Sequence, residues 1–369
     1  MRHLHFVSGF KGSINEVTED LIEGLKDSYI ITREGFDELK EYDILISHFI
    51  NPNISKSQIF DKFKHKILIQ PIDGTSIKRD IIEEFNKYDI IITPGQAGKN
   101  ILLKNGVYKP IEVIPNFYKQ TDLVLNTIER PTPVYKKLEK YIKDKFIFYH
   151  ESTCHPRKGV DIMLRAYVKT FSSNIVKPKV VLILKTPSHN PTTFDYLEKL
   201  KKEIDILQKQ YKYPAKIIKI SQWCTKEELT NLMYLCDCYV QPSKIEGFGI
   251  PVLRAAAMKK TIIATDSNLN GYMDFLTDSA LAYLVPGKIE VAIGEINPMY
   301  TEVSEWCVID ENRLGEAMKG ITCLLNHKNK TNYFNLYSMT AVIEQYKKLL
   351  SKPIFEEGYK FIESKVIIK

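Results

Sequence analysis

The sequence predicts an α/β protein built from two doubly wound, Rossmann-like domains that face a central cleft. The chain has 369 residues, which exceeds the usual size of a single core. In both halves, short runs rich in Ile and Val alternate with amphipathic stretches, a pattern typical of parallel sheets covered by helices on both faces. Such sheets bind ligands at the carboxyl ends of their strands, so the cleft is the expected binding site.

The first predicted domain is residues 1–130. Its predicted strands are Leu4–Ser8, Tyr29–Thr32, Ile44–Ser47, Ile67–Gln70, Asp89–Thr93 and Glu112–Ile114, and its predicted helices include Asn15–Lys26, Ser76–Lys87 and Gln96–Asn105. From Tyr118 to about Tyr135 the pattern gives way to polar residues with prolines at 131 and 133, which indicates a linker.

The second predicted domain is residues 131–330. Its predicted strands are Phe146–Tyr149, Val180–Leu184, Lys216–Ile220, Cys238–Gln241, Thr261–Ala264 and Leu281–Val285, and its predicted helices include Val160–Phe171, Phe194–Tyr211, Lys226–Leu235 and Pro251–Met258. Residues 331–369 are predicted to be a helical segment, with one long helix over Asn332–Ser351, that packs back toward the first domain.

The amino-acid composition limits where the protein is expected to act and what it is expected to bind. No run of eighteen apolar residues occurs, and the first residues resemble a strand rather than a signal peptide, so we expect a cytoplasmic protein without a transmembrane segment. The net charge of +7, mostly lysine, fits an anionic acceptor such as DNA, peripheral contact with a phospholipid surface, or simply a solvated surface. The six cysteines lack the spacing of a zinc site, which indicates reduced structural thiols and no metal.

The most informative stretch runs from Asp237 to Thr265. A strand ends near Gln241, a loop carries Glu246 and two glycines, and a helix begins at Ile250 or Pro251. Glycines let a backbone approach a ligand closely, and the free amides of a helix start suit phosphate. The stretch therefore predicts a phosphate cradle.

Glu246 stands at the mouth of that loop. Its negative charge would oppose bound phosphates, so a functional role would be to accept hydrogen bonds from sugar hydroxyls. The alternative is a surface glutamate that precedes a helix.

The same stretch resembles the donor-site segment of retaining glycosyltransferases of the GT-B fold, of the family 4 (group 1) type. The residues that carry the resemblance are Glu246-Gly-Phe-Gly-Ile-Pro-Val-Leu, the upstream Pro156-Arg-Lys-Gly-Val-Asp, Glu112-Val-Ile-Pro-Asn, and the later Asn270-Gly-Tyr-Met-Asp and Ser304-Glu-Trp-Cys-Val-Ile-Asp. They follow one another in the family's order over most of residues 90 to 325. The family uses nucleotide-diphosphate sugars as co-substrates, so the resemblance implies such a donor and no further cofactor.

The resemblance also implies individual roles. Lys158, with Arg157 beside it, would hold the donor diphosphate and supply positive charge as it departs. Glu246 would hydrogen-bond the transferred sugar. The remaining donor-binding residues so implied are Gly9 and Gly12 in a glycine loop, Ser221 and Trp223 near the nucleobase, and Gly247, Phe248, Gly249 and Ile250 around the phosphates.

Two strand ends of the first domain offer candidates for the acceptor side. His48 and Asp73 each close a predicted strand and would point into the cleft, and with Lys158 and Glu246 they complete the candidate catalytic set. A histidine at a strand end is also a common structural residue. In this family the leaving phosphate itself is thought to deprotonate the acceptor, so no dedicated base is required.

Two departures from the family's pattern stand out. Arg254 occupies the position eight residues after Glu246 where the family places a second glutamate for the ribose hydroxyls, and a guanidinium does not accept hydrogen bonds. His150-Glu151-Ser152 replaces a Gly-Arg pair that contributes a phosphate-binding arginine. Arg254 as a replacement for that arginine is our hypothesis, which makes it a donor-binding candidate.

Three functions remain open from the sequence. The first is a transferase with a carbohydrate or glycoconjugate acceptor, the second a transferase that places sugar on a hydroxylated base in DNA, and the third a non-catalytic nucleotide-sugar-binding protein. Base-reading elements rich in arginine and aromatic residues are not evident, which disfavours the second. A dehydrogenase is disfavoured because no Gly-x-Gly-x-x-Gly follows a strand with an acid about twenty residues later.

Overall fold

The computed structural model describes residues 1–8, 13–33, 44–119, 123, 133–187, 191–276, 282–293, 297–323 and 336–352. These residues build two sheets of mostly parallel strands with intervening helices. The predicted α/β class with two parallel-sheet domains is therefore confirmed.

The first sheet has six parallel strands in the order β2-β1-β3-β4-β5-β6. They are β1 (His3–Ser8), β2 (Ile30–Arg33), β3 (Ile44–His48), β4 (His65–Ile69), β5 (Ile90–Thr93) and β6 (Ile111–Val113), and the helices are α1 (Ser13–Leu25), α2 (Pro52–Ser55), α3 (Arg79–Phe85) and α4 (Gln96–Lys104). The interior strands β3 and β5 are buried along their whole length, as expected of a sheet covered on both faces.

The second sheet has seven strands in the order β13-β12-β11-β10-β7-β8-β9. They are β7 (Phe146–Glu151), β8 (Val180–Lys185), β9 (Lys216–Ile220), β10 (Cys238–Gln241), β11 (Thr261–Asp266), β12 (Ala282–Val291) and β13 (Glu305–Ile309). Its helices are α5 (Pro133–Ile142), α6 (Val160–Phe171), α7 (Pro191–Gln208), α8 (Lys226–Leu235), α9 (Ile250–Ala257), α10 (Met273–Leu276) and α11 (Glu311–Cys323). Helix α5 begins inside the stretch predicted as a linker.

The sequence did not predict β13 or α11, and it ended β12 too early. Pro286 and Gly287 suggest the end of a strand, but β12 continues through them and changes partner there. Pro286 is the last residue in register with β11, and Gly287 is the first that pairs antiparallel with β13. A proline is tolerated at such a transition because its missing N–H falls where one ladder ends.

The segment between β12 and β13 is bound to the first domain by backbone hydrogen bonds. Lys78 N donates to Met299 O (3.0 Å), and Thr301 N donates to Ser76 O (2.8 Å). Tyr300 lies against Gly74 so closely that a Cβ on that glycine would be 2.4 Å from the ring. These contacts explain why α3 begins at Arg79 and not at the predicted residue 76.

The last helix, α12 (Met339–Leu350), packs on α1. A Cβ on Gly24 of α1 would stand 2.4 Å from Ile343 Cδ1, and Val342 and Leu349 are buried in one cluster with the apolar residues of β1. Ser338 caps the helix, which therefore begins later than predicted, and residues 332–335 lie outside the described part of the chain. None of the described helices is long and apolar enough to cross a membrane.

Candidate functional site

Two helix starts meet at the carboxyl ends of β7 and β10. The first follows the turn Pro156–Lys158, where Gly159 takes a left-handed conformation (φ 64°) and caps α6. A Cβ on Gly159 would stand 2.1 Å from the carbonyl oxygen of Pro242, so only glycine fits. Lys244 N donates to Arg157 O (2.8 Å), which fixes this turn against the loop after β10.

The second helix start is that of α9. Gly249 is its N-cap with φ 89°, and Pro251 stands in its first turn. In the described ranges no side chain caps α6 or α9, because both N-caps are glycines. Their first backbone N–H groups are therefore available to an anion, in the arrangement that favours phosphate binding.

Glu246 lies between these helix starts, with 13% of its side chain exposed. Its Oε2 contacts Lys158 Nζ, lies 3.7 Å from Arg157 Nη1, and accepts hydrogen bonds of 3.3 Å each from the side chains of Gln241 and Ser243. Burial acts to raise the pKa of Glu246, but the charges of Lys158 and Arg157 outweigh it and hold that pKa below its ordinary value. The residue is thus a carboxylate, an acceptor suited to hydroxyl groups.

Lys158 and Arg157 supply the positive charge of this cluster. Burial, reinforced by the charge of Arg157, lowers the pKa of Lys158. Arg157 Nη2 reaches across the cleft to Asp73 Oδ2 at 2.8 Å, and Asp73 N donates to Tyr300 Oη at 2.9 Å. Three of the four candidate catalytic residues, Lys158, Glu246 and Asp73, therefore meet in one cluster.

His48 is placed differently. It is 5% exposed, its Nδ1 is hydrogen-bonded to Thr18 Oγ1 at 2.6 Å, and its ring stacks on Phe49 with centroids 5.2 Å apart. The described contacts do not join it to Lys158, Glu246 or Asp73. Its contacts are those of a structural histidine, the alternative left open by the sequence.

The loop residues predicted to surround the phosphates lie close to the first domain and to the turn at Gly271. A Cβ on Gly247 would lie 3.0 Å from Pro71 Cβ of the first domain, and one on Gly271 would lie 2.2 Å from the Gly247 carbonyl oxygen. Phe248 is buried against the ring of Phe275, so its side chain serves packing, whereas Ile250 opens α9.

The remaining donor-binding candidates are not part of the cluster around Glu246. Ser221 and Trp223 follow β9 and are exposed, with 68% of Trp223 accessible. An exposed indole three residues past the end of β9 could stack on a nucleobase. Gly9 and Gly12 lie outside the described residues.

Arg254 forms an ion pair that the sequence did not reveal. Its Nη1 lies 3.2 Å and 3.4 Å from the two carboxylate oxygens of Glu151 at the end of β7, and the side chains are 16% and 15% exposed. Tyr149 Oη donates to the same carboxylate (3.1 Å). The two residues that depart from the family's pattern, Arg254 and Glu151, therefore form an ion pair with each other.

This pair leads to a testable expectation. Arg254→Ala should leave the Glu151 carboxylate without its charged partner in a mostly buried position and weaken donor binding, whereas Glu151→Gln with Arg254→Ala together should recover part of the lost stability. A double-mutant cycle on urea unfolding would measure the coupling, expected at about 1 to 3 kcal/mol. Additive single effects would show that the pair contributes no coupling.

Two buried histidines predict a pH dependence of stability. Burial lowers the pKa of His48 and of His150 to about 4, against about 6.5 in an unfolded chain. Between pH 4 and pH 6.5 the unfolded state binds more protons than the folded state. The contribution of each neutral histidine to the free energy of unfolding is therefore complete above pH 6.5 and is lost as the pH falls toward 4. We expect about 2 kcal/mol less stability per histidine at pH 5 than at pH 7.5.

Urea unfolding at both pH values tests this expectation. The variant His150→Gln is the comparison, because it removes one of the two titrating rings. In the wild type, His150 Nδ1 contacts Val240 O at 2.7 Å. The variant should show a shallower dependence between pH 5 and 7.5. An unchanged dependence would exclude His150 as its source.

No group of three or more His, Cys, Asp or Glu in the described ranges is placed to hold a metal ion. Sequence reasoning identified the loop after β10 and the turn before α6 because their residues are contiguous. It noted Glu151 only as a departure from the family's pattern and missed its pairing with Arg254. It also missed Tyr300, which joins the site only through the fold.

Residues 135–302 match the family model described as glycosyl transferases group 1. They include most of the second sheet and both helix starts of the site. No curated protein matches the chain. The match confirms the group 1 resemblance and the class of enzyme, a glycosyltransferase.

Solved structures share the fold over nearly the whole chain. HepE of Anabaena, in complex with UDP and glucose, has a TM-score of 0.68 and 16% identity, and the match covers 95% of this chain and 99% of HepE. A glycosyltransferase of Rickettsia africae has a TM-score of 0.67 and 14% identity, covering 96% and 99%. An α,α-trehalose-phosphate synthase (UDP-forming) of Burkholderia xenovorans has a TM-score of 0.65 and 10% identity, covering 90% and 76%. Two Rossmann-like domains in this arrangement constitute the GT-B fold.

Proposed function

We propose that this chain, a glycosyltransferase of group 1 by its second domain, transfers a hexose or related sugar from a nucleotide-diphosphate sugar with retention of configuration. The acceptor in this proposal is a carbohydrate or a glycoconjugate. The observation that carries it is the cluster of Lys158, Arg157 and Glu246 between two uncapped helix starts.

The chemistry of that cluster matches the two parts of the donor. Lys158, Arg157 and the free amides of α6 and α9 would bind the diphosphate, while the Glu246 carboxylate would accept hydrogen bonds from the sugar hydroxyls. As the bond between the anomeric carbon and the phosphate oxygen breaks, negative charge grows on the diphosphate. Cations already fixed in place stabilise that charge without reorganisation.

Retention follows in this proposal from attack on the face that the leaving group vacates. The acceptor oxygen forms its bond to the anomeric carbon on the side of the departing phosphate, and its proton passes to a phosphate oxygen. No side chain has to accept that proton. Asp73, which pairs with Arg157, would hydrogen-bond an acceptor hydroxyl and orient it.

UDP-glucose is the first donor to test, because the crystal structures of HepE contain UDP and UDP-glucose. A thermal-shift panel of UDP-, GDP- and ADP-sugars tests donor use directly. A ligand at one hundred times its dissociation constant adds about 2.7 kcal/mol to the stability of the folded state. Absence of a shift with every nucleotide sugar would overturn the proposal, and slow hydrolysis of the bound donor would exclude a purely binding role.

We further propose that turnover needs no divalent cation and no cofactor beyond the donor, since Lys158 and Arg157 supply the charge that a metal would otherwise provide. Equal initial rates in excess EDTA and in millimolar Mg²⁺ are expected. A rate that collapses in EDTA and returns with Mg²⁺ would contradict this.

We propose a cytoplasmic location. All six cysteines are free thiols, and four of them are buried, which fits a reducing compartment. Fractionation of cells that express the tagged chain would test it.

A further inference from the structure

Lys185 is the last residue of β8 and is only 3% exposed. In the part of the chain that the structure describes, no acceptor lies within hydrogen-bond or ion-pair reach of its ammonium group. Glu151 and Glu228 are near enough to attract it, but Glu151 is bound to Arg254, and Glu228 caps α8 through Thr225 N. Among the described residues, Lys185 is therefore a buried cation without a hydrogen-bond or ion-pair partner.

Such a group is unfavourable in the free protein. A buried ammonium loses its hydration, and the attraction of Glu151 and Glu228 compensates for only part of that loss. Burial accordingly lowers the pKa of Lys185. A methionine or leucine at this position would serve the packing of the sheet better, so the packing gives no reason for a lysine.

The position of Lys185 within the sheet relates it to the donor site. Strands β10, β7, β8 and β9 are neighbours in the second sheet, in that order. Glu246 follows β10, Lys158 follows β7, Lys185 ends β8 and Trp223 follows β9. Lys185 is in register with Glu151 on one side and with Ile220 on the other. At about 4.8 Å per strand, the row spans about 14 Å, on the order of an extended nucleotide.

Of the charged residues described along this row, Lys158, Arg157, Glu246, Asp73, Glu151 and Arg254 are paired, and Lys185 is not. Glu246 and Asp73 pair with Lys158 and Arg157, and Glu151 pairs with Arg254. A nucleotide that places its outer phosphate at Lys158 and its base at Trp223 must pass β8 in between. The group nearest to Lys185 is then the inner phosphate, an anion, and an ammonium group binds an anion more strongly than a ribose hydroxyl.

We infer that Lys185 binds the α-phosphate of the donor nucleotide, the phosphate attached to the ribose. This inference rests on the proposed function. It assigns the two phosphates to different lysines, the outer one to Lys158 and the inner one to Lys185. It also gives the buried charge a partner that arrives with the substrate.

Calorimetric titrations with UDP, UMP and uridine distinguish these assignments, because UMP retains only the α-phosphate. Lys185→Met should weaken both UDP and UMP by about ten- to one-hundredfold, the usual worth of a charge-assisted hydrogen bond, and leave uridine unchanged. Lys158→Met should weaken UDP much more than UMP. Lys219→Met, an exposed lysine on the neighbouring strand β9, removes the same charge and should change none of the three affinities.

Stability supplies a second readout. Removing an unpaired buried charge should raise the thermal midpoint of the ligand-free Lys185→Met variant, whereas a structural role for Lys185 would lower it. UMP affinity within threefold of the wild type would overturn the inference, as would equal weakening of UMP and uridine.

Failure of the proposed function would be visible separately, in a wild-type protein that binds none of UDP, GDP and ADP. If GDP or ADP binds in place of UDP, the same comparison uses the corresponding monophosphate and nucleoside. The affinity of the Lys185→Met variant for that monophosphate then decides the inference.

Discussion

Replacing Lys158 with methionine is expected to lower kcat/KM for the donor by about 10²- to 10³-fold, the usual effect of removing one donor that stabilises developing charge. Lys158 contacts Glu246 directly, so the variant also loosens the carboxylate that would hold the sugar. Lys158→Arg keeps the charge but not the shape and should recover only part of the rate. Initial-rate kinetics with the donor that gives the largest thermal shift measure all three proteins.

The matched control is Lys201→Met on the exposed face of α7, which removes one charge far from the cluster. Its kcat/KM should equal that of the wild type. If Lys158→Met retained more than about a tenth of the wild-type kcat/KM, the assignment of Lys158 to the departing diphosphate would be wrong.

Replacing Gly159 with alanine is expected to destabilise the fold by about 3 kcal/mol or more and to abolish activity. The left-handed conformation alone costs an L-residue about 1 to 2 kcal/mol. In addition, the new methyl group would stand 2.1 Å from the Pro242 carbonyl oxygen, so the turn that holds Lys158 must move away from the loop that holds Glu246. Urea unfolding and donor titration on the same preparation measure both effects.

Gly106→Ala separates the two causes. Gly106 also has a positive φ, of 88°, but a Cβ there would meet nothing within 4 Å. Its cost should therefore be the conformational part only, about 1 kcal/mol, with unchanged donor affinity. Equal losses for both glycines would show that the contact with Pro242 contributes nothing.

Much of this architecture could be predicted because it is written in contiguous residues. Apolar runs gave the strands, and the glycines and proline around α9 gave the helix start at which the phosphates are expected. The hairpin of β12 and β13 was missed because Pro286 and Gly287 resemble a strand end, and only the change of pairing partner explains why the strand continues.

The relations between distant residues could not be predicted. Arg254 and Glu151 are 103 positions apart, and each alone appeared as a departure from a family pattern. Lys185 comes directly after the predicted strand Val180–Leu184, and the sequence did not indicate that it is buried. Its burial depends on β7, β9 and α8, none of which is adjacent in sequence.

The first domain is completed by segments that the ribosome makes after most of the second domain. Tyr300 and Trp306 belong to the same buried cluster as Leu68 and Ile91, and α12 covers the apolar residues of β1. A nascent chain of residues 1–130 would leave those apolar surfaces in water until the residues of α12 have been synthesised. Although domains generally fold in order of synthesis, here the amino-terminal domain is expected to finish folding last, after the carboxyl-terminal sheet has formed.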